Sequence, residues 1–324
     1  MSLRGIPRVF VLIVATLLGA EPARASEADG LPPNELGRVM ILEYHRIEHP
    51  EARWTRTPEH LRQDLRRLWE RGYRLAALGD IVKGRVSVPA GRSPVVLTFD
   101  DSSPGQFRYV EQGGAVVVDP DCAVGILEAF EREHPGFGHA ATFYVLPAAD
   151  PPNRLFNQPE LATRKLRHLA SHGYEIGNHT LWHANLARHP EQVVRKQLAA
   201  AVEWIQRHVP GYEPRTLALP MGMYPQALDW AVSGQVGSWR YRHDAILMVA
   251  GGAAPSPHAR AFDPYRLPRI QVVNADLDGW MEHFDRHPDQ RYVSDGDPDT
   301  VTVPRGSAIS LRPLPARLRV VERP

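Results

Sequence analysis

Two groups of residues in this chain have the types and spacing to do chemistry. The first is Asp100-Asp101, which ends the apolar run Pro94-Val-Val-Leu-Thr-Phe99. The second is His179-Thr-Leu-Trp-His183, in which two imidazoles stand four residues apart. That spacing puts both rings on one face of a helix, and in a tight loop they can still converge, which suits a divalent cation. Two imidazoles and one carboxylate make a set of three ligands with open positions for water and substrate, as in catalytic zinc sites and non-haem iron sites. One carboxylate of the Asp100-Asp101 pair can bind the ion while the other stays free as a base. Neighbouring residues leave a strand in opposite directions, so the two carboxylates have different partners. Each group alone has a plainer reading. Residues 100–105 have the composition of a polar turn, and fifteen histidines are scattered along the chain.

The elements that must position these residues follow from pattern. Val95, Val96, Leu97 and Phe99 are strand formers without polar alternation, as in a parallel sheet covered on both faces. Such sheets and barrels carry their working residues where strands end and loops begin. Further strands are predicted over 39–45, 140–146, 174–177, 215–220, 245–249 and 267–273. Helices are predicted from Pro58 to Gly72 and over 122–133, 159–172 and 190–209. Strand and helix alternate, which argues for βαβ units and a mostly parallel α/β sheet or barrel. The segment 102–121 reads as irregular, and after about residue 274 the pattern fades into strand-like pieces broken by proline.

The chain of 324 residues is 43% hydrophobic and 23% charged, enough for one large domain of α/β-barrel size. Its net charge of +1 gives no reason to expect nucleic acid as a partner. Residues 1–25 read as a secretory signal. Arg4 and Arg8 precede an apolar stretch from Val9 to Ala20, and Ala23-Arg24-Ala25 offers cleavage after Ala25. The apolar stretch is shorter than the ~20 residues that span a bilayer, so the mature chain is expected to be secreted or periplasmic without a membrane span. Residues 26–37 read as a flexible lead-in and 38–324 as one domain. Cys122 is the only cysteine, which excludes an intramolecular disulfide and a cysteine-based zinc site and leaves it as a small packing residue. The sequence is silent on oligomeric state.

Thr98-Phe-Asp-Asp101, His179-Thr-Leu-Trp-His183 and Pro220-Met-Gly222, in this order, resemble the polysaccharide deacetylase family, the NodB homology domain of carbohydrate esterase family 4, over about residues 38–273. The resemblance implies a distorted (β/α) barrel and metal-dependent removal of N- or O-acetyl groups from an acetylated polysaccharide such as chitin, peptidoglycan or xylan. By motif, Asp100 is then the general base, and Asp101, His179 and His183 hold a divalent metal, with zinc the first choice. Pro220 and Gly222 belong to the third motif. Tyr144 is placed near the barrel mouth as a substrate contact, and Trp182 and Tyr224 are candidates for a flat platform under a sugar.

Four departures from the family pattern stand out. Ser102 replaces a Gly, Ala218 stands where an Arg orients the base, the Asp- and Trp-bearing fourth motif has no match near Trp239 to Asp244, and no Leu-x-His follows residue 273. Arg215 and Arg269 are candidates for the missing orienting group, His283 for the missing acid. The alternatives are a relative that binds metal or glycan without turnover, a glycosidase with paired carboxylates, and a non-catalytic envelope or matrix protein.

Overall fold

The run Ser93–Phe99 (β3) is the axis of an eight-stranded sheet. In the computed structural model, which describes residues 30–273 and 275–323, its partners are Met40–Tyr44 (β1), Tyr73–Leu75 (β2), Thr142–Val145 (β4), Glu175–Asn178 (β5), Thr216–Ala218 (β6), Ala245–Leu247 (β7) and Ile270–Gln271 (β8). The order is β7-β6-β5-β4-β3-β1-β8, with β2 on the first half of β3, and every pairing in it is parallel. A further parallel bridge, Leu247–Leu267, joins β7 to the segment that enters β8, so the two ends of this path meet. The expected parallel-stranded distorted barrel is what the chain forms. The expected signal segment, 1–25, lies outside the described residues.

Alternation along the strands separates two cores. Met40, Leu42, Tyr44, Leu97, Phe99, Phe143 and Val145 face outward and pack with the helices Pro58–Glu70 (α1), Ala123–Glu133 (α3) and Ala162–Ser171 (α4). Val39, Ile41, Val96, Tyr144, Ala218 and Leu247 fill the interior. The short helix Leu78–Val82 (α2) and the long helix Glu191–His208 (α5) complete the cover. Local sequence sets the helix starts. Thr57 accepts a hydrogen bond from the His60 N–H ahead of Pro58. Buried Cys122 caps α3 through its sulfur, and burial pushes its thiol up to about 11, which fits a packing role. Among the described residues no helix is long and apolar enough to cross a membrane.

Residues 31–324 form one unit, and its two ends differ from expectation. The lead-in ends at Asn34 rather than 37. Asn34 donates to the Val293 carbonyl, and the Glu35 N–H donates to the Thr302 carbonyl. The supposed irregular extension holds a helix, Asp276–Arg286 (α6), and a parallel strand pair, Thr300–Pro304 with Arg319–Arg323. Leu277, Met281 and Phe284 supply the helical stripe that docks α6 on the outer core. Two antiparallel hairpins, 109–112 with 115–118 and 233–236 with 239–242, were also missed, because both are two-stranded and largely exposed.

The Glu35 carboxylate is buried, accepting from Tyr292 Oη and the Thr302 N–H. Desolvation, helped by Asp295, pushes its pKa up from 4.5 to about 7. A raised folded-state value means that Glu35 stabilises the fold fully below pH 4.5 and that this contribution is lost as pH rises through 7. Glu35→Gln should therefore flatten the decline in stability across that window, which amounts to roughly 3 kcal/mol. Urea midpoints of both proteins across the window check this; parallel decline would place the titration elsewhere.

Candidate active site

The strand ends converge on one edge of the sheet. β3 delivers Asp100 and Asp101, β1 delivers Glu43 and His45, and the loop after β5 carries His179 and His183. Arg269 enters just ahead of β8. Together with Trp54, Asn153, Met221 and Val249, most of these residues line a cleft of about 500 Å³. A larger open groove of about 800 Å³, between α5 and the 233–242 hairpin, is lined by Arg215 but by none of the candidate base or metal ligands.

Asp101, His179 and His183 come together. His179 Nε2 lies 3.2 Å and His183 Nε2 3.4 Å from Asp101 Oδ1. His179 Nδ1 donates to the Ala218 carbonyl at 2.9 Å, which turns Nε2 toward Asp101. A ring oriented through its far nitrogen by a backbone carbonyl is the usual support of a ligating histidine. In the neutral ring, Nε2 then aims a lone pair at an anionic oxygen, an arrangement that favours a cation between them. One ligand atom from each of the three residues lies within 4.8 Å of the others, so the donor set fits a divalent ion. When His179 is protonated instead, burial still raises the Asp101 carboxyl, but the hydrogen bond and charge of the imidazolium hold it well below the usual range, and the His179 ring, although burial lowers it, is raised by Asp100 and Asp101 in turn. His183, where burial and His179 act together, is shifted down.

Asp100 goes the other way, into the sheet, where it is 1% exposed. Arg269 donates to both of its oxygens, at 2.8 and 2.7 Å. Its remaining N–H groups reach Thr98 Oγ1 (3.0 Å), Glu43 Oε1 (3.2 Å) and the Met248 carbonyl (2.7 Å), so every donor of the buried guanidinium has an acceptor. Desolvation raises Asp100, and Arg269 followed by His179 overrides it, leaving the carboxyl lowered. Glu43 shares the same arginine less closely; burial dominates there and pushes it up to about 8. At neutral pH this gives Arg269 cationic, Asp100 anionic and Glu43 protonated. Of the two arginines considered for orienting the base, Arg269 holds Asp100, whereas Arg215 pairs with Asp244 and Glu213 away from the cleft. His283 lies on α6 against Gln290, also away from the cleft. The imidazole that faces the cleft besides His179 and His183 is His45, tilted against Trp54 at 4.7 Å and lowered by burial.

The expected substrate contacts need correction. Tyr144 is fully buried, facing the interior by strand parity, with its hydroxyl on Thr216 Oγ1. Tyr224 packs its ring on a satellite core and donates to the Tyr265 carbonyl. Pro220 is buried, Gly222 lies behind it against Val249, and Trp182, though 47% exposed, is outside the cleft lining. The third motif reaches the cleft through Met221, and the aromatic in the cleft is Trp54. Ser102, where glycine was expected, has φ 44°; its hydroxyl accepts from the Leu146 N–H and donates to the Asn153 carbonyl. These bonds hold a non-glycine residue in a conformation that otherwise favours glycine.

The sequence profile of the polysaccharide deacetylase family matches residues 87–237. A chitooligosaccharide deacetylase from Bradyrhizobium sp. is 27% identical over 137 residues, which is 42% of this chain and 50% of that protein. The chain thus matches about half the length of that relative. Among solved structures, a Streptococcus pyogenes deacetylase in complex with acetate is 19% identical, covers 76% of this chain and 97% of its own, and superposes with a TM-score of 0.57. A polysaccharide deacetylase from Bacillus cereus is 17% identical over 76% of this chain and 68% of its own, with a TM-score of 0.55. These two show a shared fold.

Removing Arg269 leaves Asp100 buried and unpaired, so Arg269→Met should destabilise the fold by about 3–5 kcal/mol. Glu43→Gln replaces a carboxyl already protonated at neutral pH and should stay within about 1 kcal/mol of the parent. Chemical denaturation at pH 7 tests the pair; equal losses would overturn the charge assignment.

Proposed function

Given that residues 87–237 carry the polysaccharide deacetylase pattern, we propose that this chain hydrolyses N- or O-acetyl groups on a polysaccharide, with Asp100 as general base and Asp101, His179 and His183 as the holders of a divalent ion, zinc first. The observation that carries the reading is the divergence of the two adjacent carboxylates. Asp101 joins the two imidazoles, whereas Asp100 is clamped by Arg269 at the wall of the same cleft.

A divalent ion bound by the three ligands would polarise the acetyl carbonyl and make the attacking water a stronger acid, as a base of low proton affinity such as Asp100 requires. Asp100 takes the proton from that water, and Arg269 fixes its direction so that little motion precedes the transfer. His45 faces the cleft with a ring nitrogen within 4.8 Å of Asp100, so the proton that Asp100 takes from water can pass through its neutral ring to the departing amine or alkoxide. Trp54, half-buried at the cleft wall, offers a ring face to a sugar. The absence of an orienting arginine at Ala218 favoured a relative without turnover; the Arg269 clamp removes that reason. Residues 1–25 support export, and we propose a secreted or periplasmic enzyme acting on an envelope or extracellular glycan.

Acetate release by the purified protein, from acetylated chitin, peptidoglycan and xylan fragments after chelation and with zinc restored, tests the reading. Acetate should appear only with metal. Asp100→Asn should keep the cleft ion and lose roughly 10²–10⁴ in rate, and His183→Ala should lose both the cleft ion and the rate. An Asp100→Asn variant as active as the parent would refute the base assignment, and a parent that binds zinc but releases no acetate would return the reading to a silent relative.

A further inference from the structure

A second group of metal-type ligands lies on the helical layer. Glu128 on α3, His168 on α4 and His172 at the C-cap of α4 bring one ligand atom each within 4.8 Å of one another. His168 and His172 are four residues apart, and their rings stack at 3.8 Å with an interplanar angle of 11°. Glu128 Oε1 stands 2.6 Å from His168 Nε2. The C-terminal half of α4 leads into the start of β5, so this group sits at the opposite edge of the sheet from Asp100.

Its geometry is held from outside. His172 Nδ1 bonds the His168 carbonyl at 2.9 Å, the same far-nitrogen support seen for His179, and leaves Nε2 to offer a ligand. Phe107 packs edge-on against the His168 ring at 5.1 Å. The buried Leu166 and Leu169 fix α4 on the core, so its histidines do not drift. Beside the group, His139 Nε2 and Tyr174 Oη are buried without hydrogen-bond partners among the described residues. Glu128 is within electrostatic reach of His139 and of Tyr174.

We propose that Glu128, His168 and His172 form a second metal site, independent of the cleft, that clamps α3 to α4. Two imidazoles and one carboxylate select borderline divalent ions such as zinc, nickel or copper over magnesium and calcium, which prefer all-oxygen sets. On binding, the ion takes the place of the proton between Glu128 and His168 Nε2, which moves to Nδ1 of a neutral ring or to solvent from an imidazolium, so that the ligand is a neutral imidazole. The clamp stabilises the fold by mass action, whatever the cleft does.

The test counts zinc by equilibrium dialysis on the chelated full-length protein and follows the melting temperature. The parent should bind two ions. His183→Ala should keep one, and zinc should still raise its melting temperature. Adding His172→Ala to His183→Ala should abolish that shift and weaken the remaining ion roughly tenfold or more. Glu128→Gln, of nearly unchanged shape, should do the same if His172→Ala folds poorly. A His183→Ala protein that binds no zinc, or a His183→Ala, His172→Ala protein that binds it as before, overturns the clamp. Failure of the cleft to bind metal would show instead as a parent with one ion, lost on His172→Ala and indifferent to His183→Ala.

Discussion

A buried arginine between two carboxylates is the constraint on which the rest of the site depends. Taking Arg269, Asp100 and Glu43 out of water is unfavourable by several kcal/mol per ion unless each charge is paired and each donor satisfied. The protein meets most of this by splitting the charges unequally, although Glu43 Oε2 is buried without a hydrogen-bond partner among the described residues. Asp100 takes two bonds of the guanidinium and stays ionised; Glu43 takes one longer bond and holds its proton. The result is one net ion pair rather than two anions competing for a single cation. Such an arrangement works only if β1, β3 and β8 run side by side with their ends level, because Glu43, Asp100 and Arg269 come from three different strands or strand entries. Parallel pairing of β1 with both β3 and β8 supplies that.

The same constraint explains what the sequence could and could not reveal. Asp100, Asp101, His179 and His183 were readable because each follows a strand exit and because the two groups occur in a fixed order. Their supports are distant: 169 residues separate Asp100 from Arg269, and the family match ends at residue 237. Arg269 could be named only as one of two candidates, since an arginine after a proline says nothing about which strand it will face. Glu43 and His45 read simply as the end of a strand. In hindsight, a glutamate inside an otherwise apolar buried strand is the signal, because a buried carboxylate demands a partner. Tyr144 was placed at the barrel mouth, but it lies within β4 and is fully buried. Phe143 and Val145 point to the helices, so Tyr144 must point inward.

The ends of the chain were misread for a related reason. Asn34 and Glu35 are polar and follow Pro32-Pro33, a composition that signals a linker, yet both are bound to backbone groups near residues 293 and 302. Contacts between residues some 260 positions apart leave no local trace in sequence. The helix Asp276–Arg286 did leave one, in the spacing of Leu277, Met281 and Phe284, but Gly279 and five charged residues diluted it.

Among the described residues, backbone strain collects in two places, the run from Leu155 to Gln158 and the surroundings of the cleft. Asp101, Thr180, His183 and Met221 all have positive φ, at 76°, 69°, 67° and 57°. Each such residue is unfavourable by about 1–3 kcal/mol and persists only where its surroundings over-determine it. Those surroundings are visible. The Thr180 N–H donates to Asn178 Oδ1, the Ala184 N–H to Thr180 Oγ1, and the Leu181 and Trp182 N–H groups share Gln197 Oε1. Gln106 ties the Asp100 carbonyl to that of His45, and Gly105 approaches the Ile47 carbonyl so closely that no side chain would fit. The buried polar residues Asn178, Gln197 and Gln106 hold the backbone of the loops that carry the ligands, while the Ala218 carbonyl orients the His179 ring. Strain so placed turns Asp101 and both histidines toward one point while the next residue along, Asp100, remains inside the sheet with Arg269. An extended backbone at Asp101 would carry its carboxylate away from His179 and His183 and lose the ligand set on which the chemistry rests.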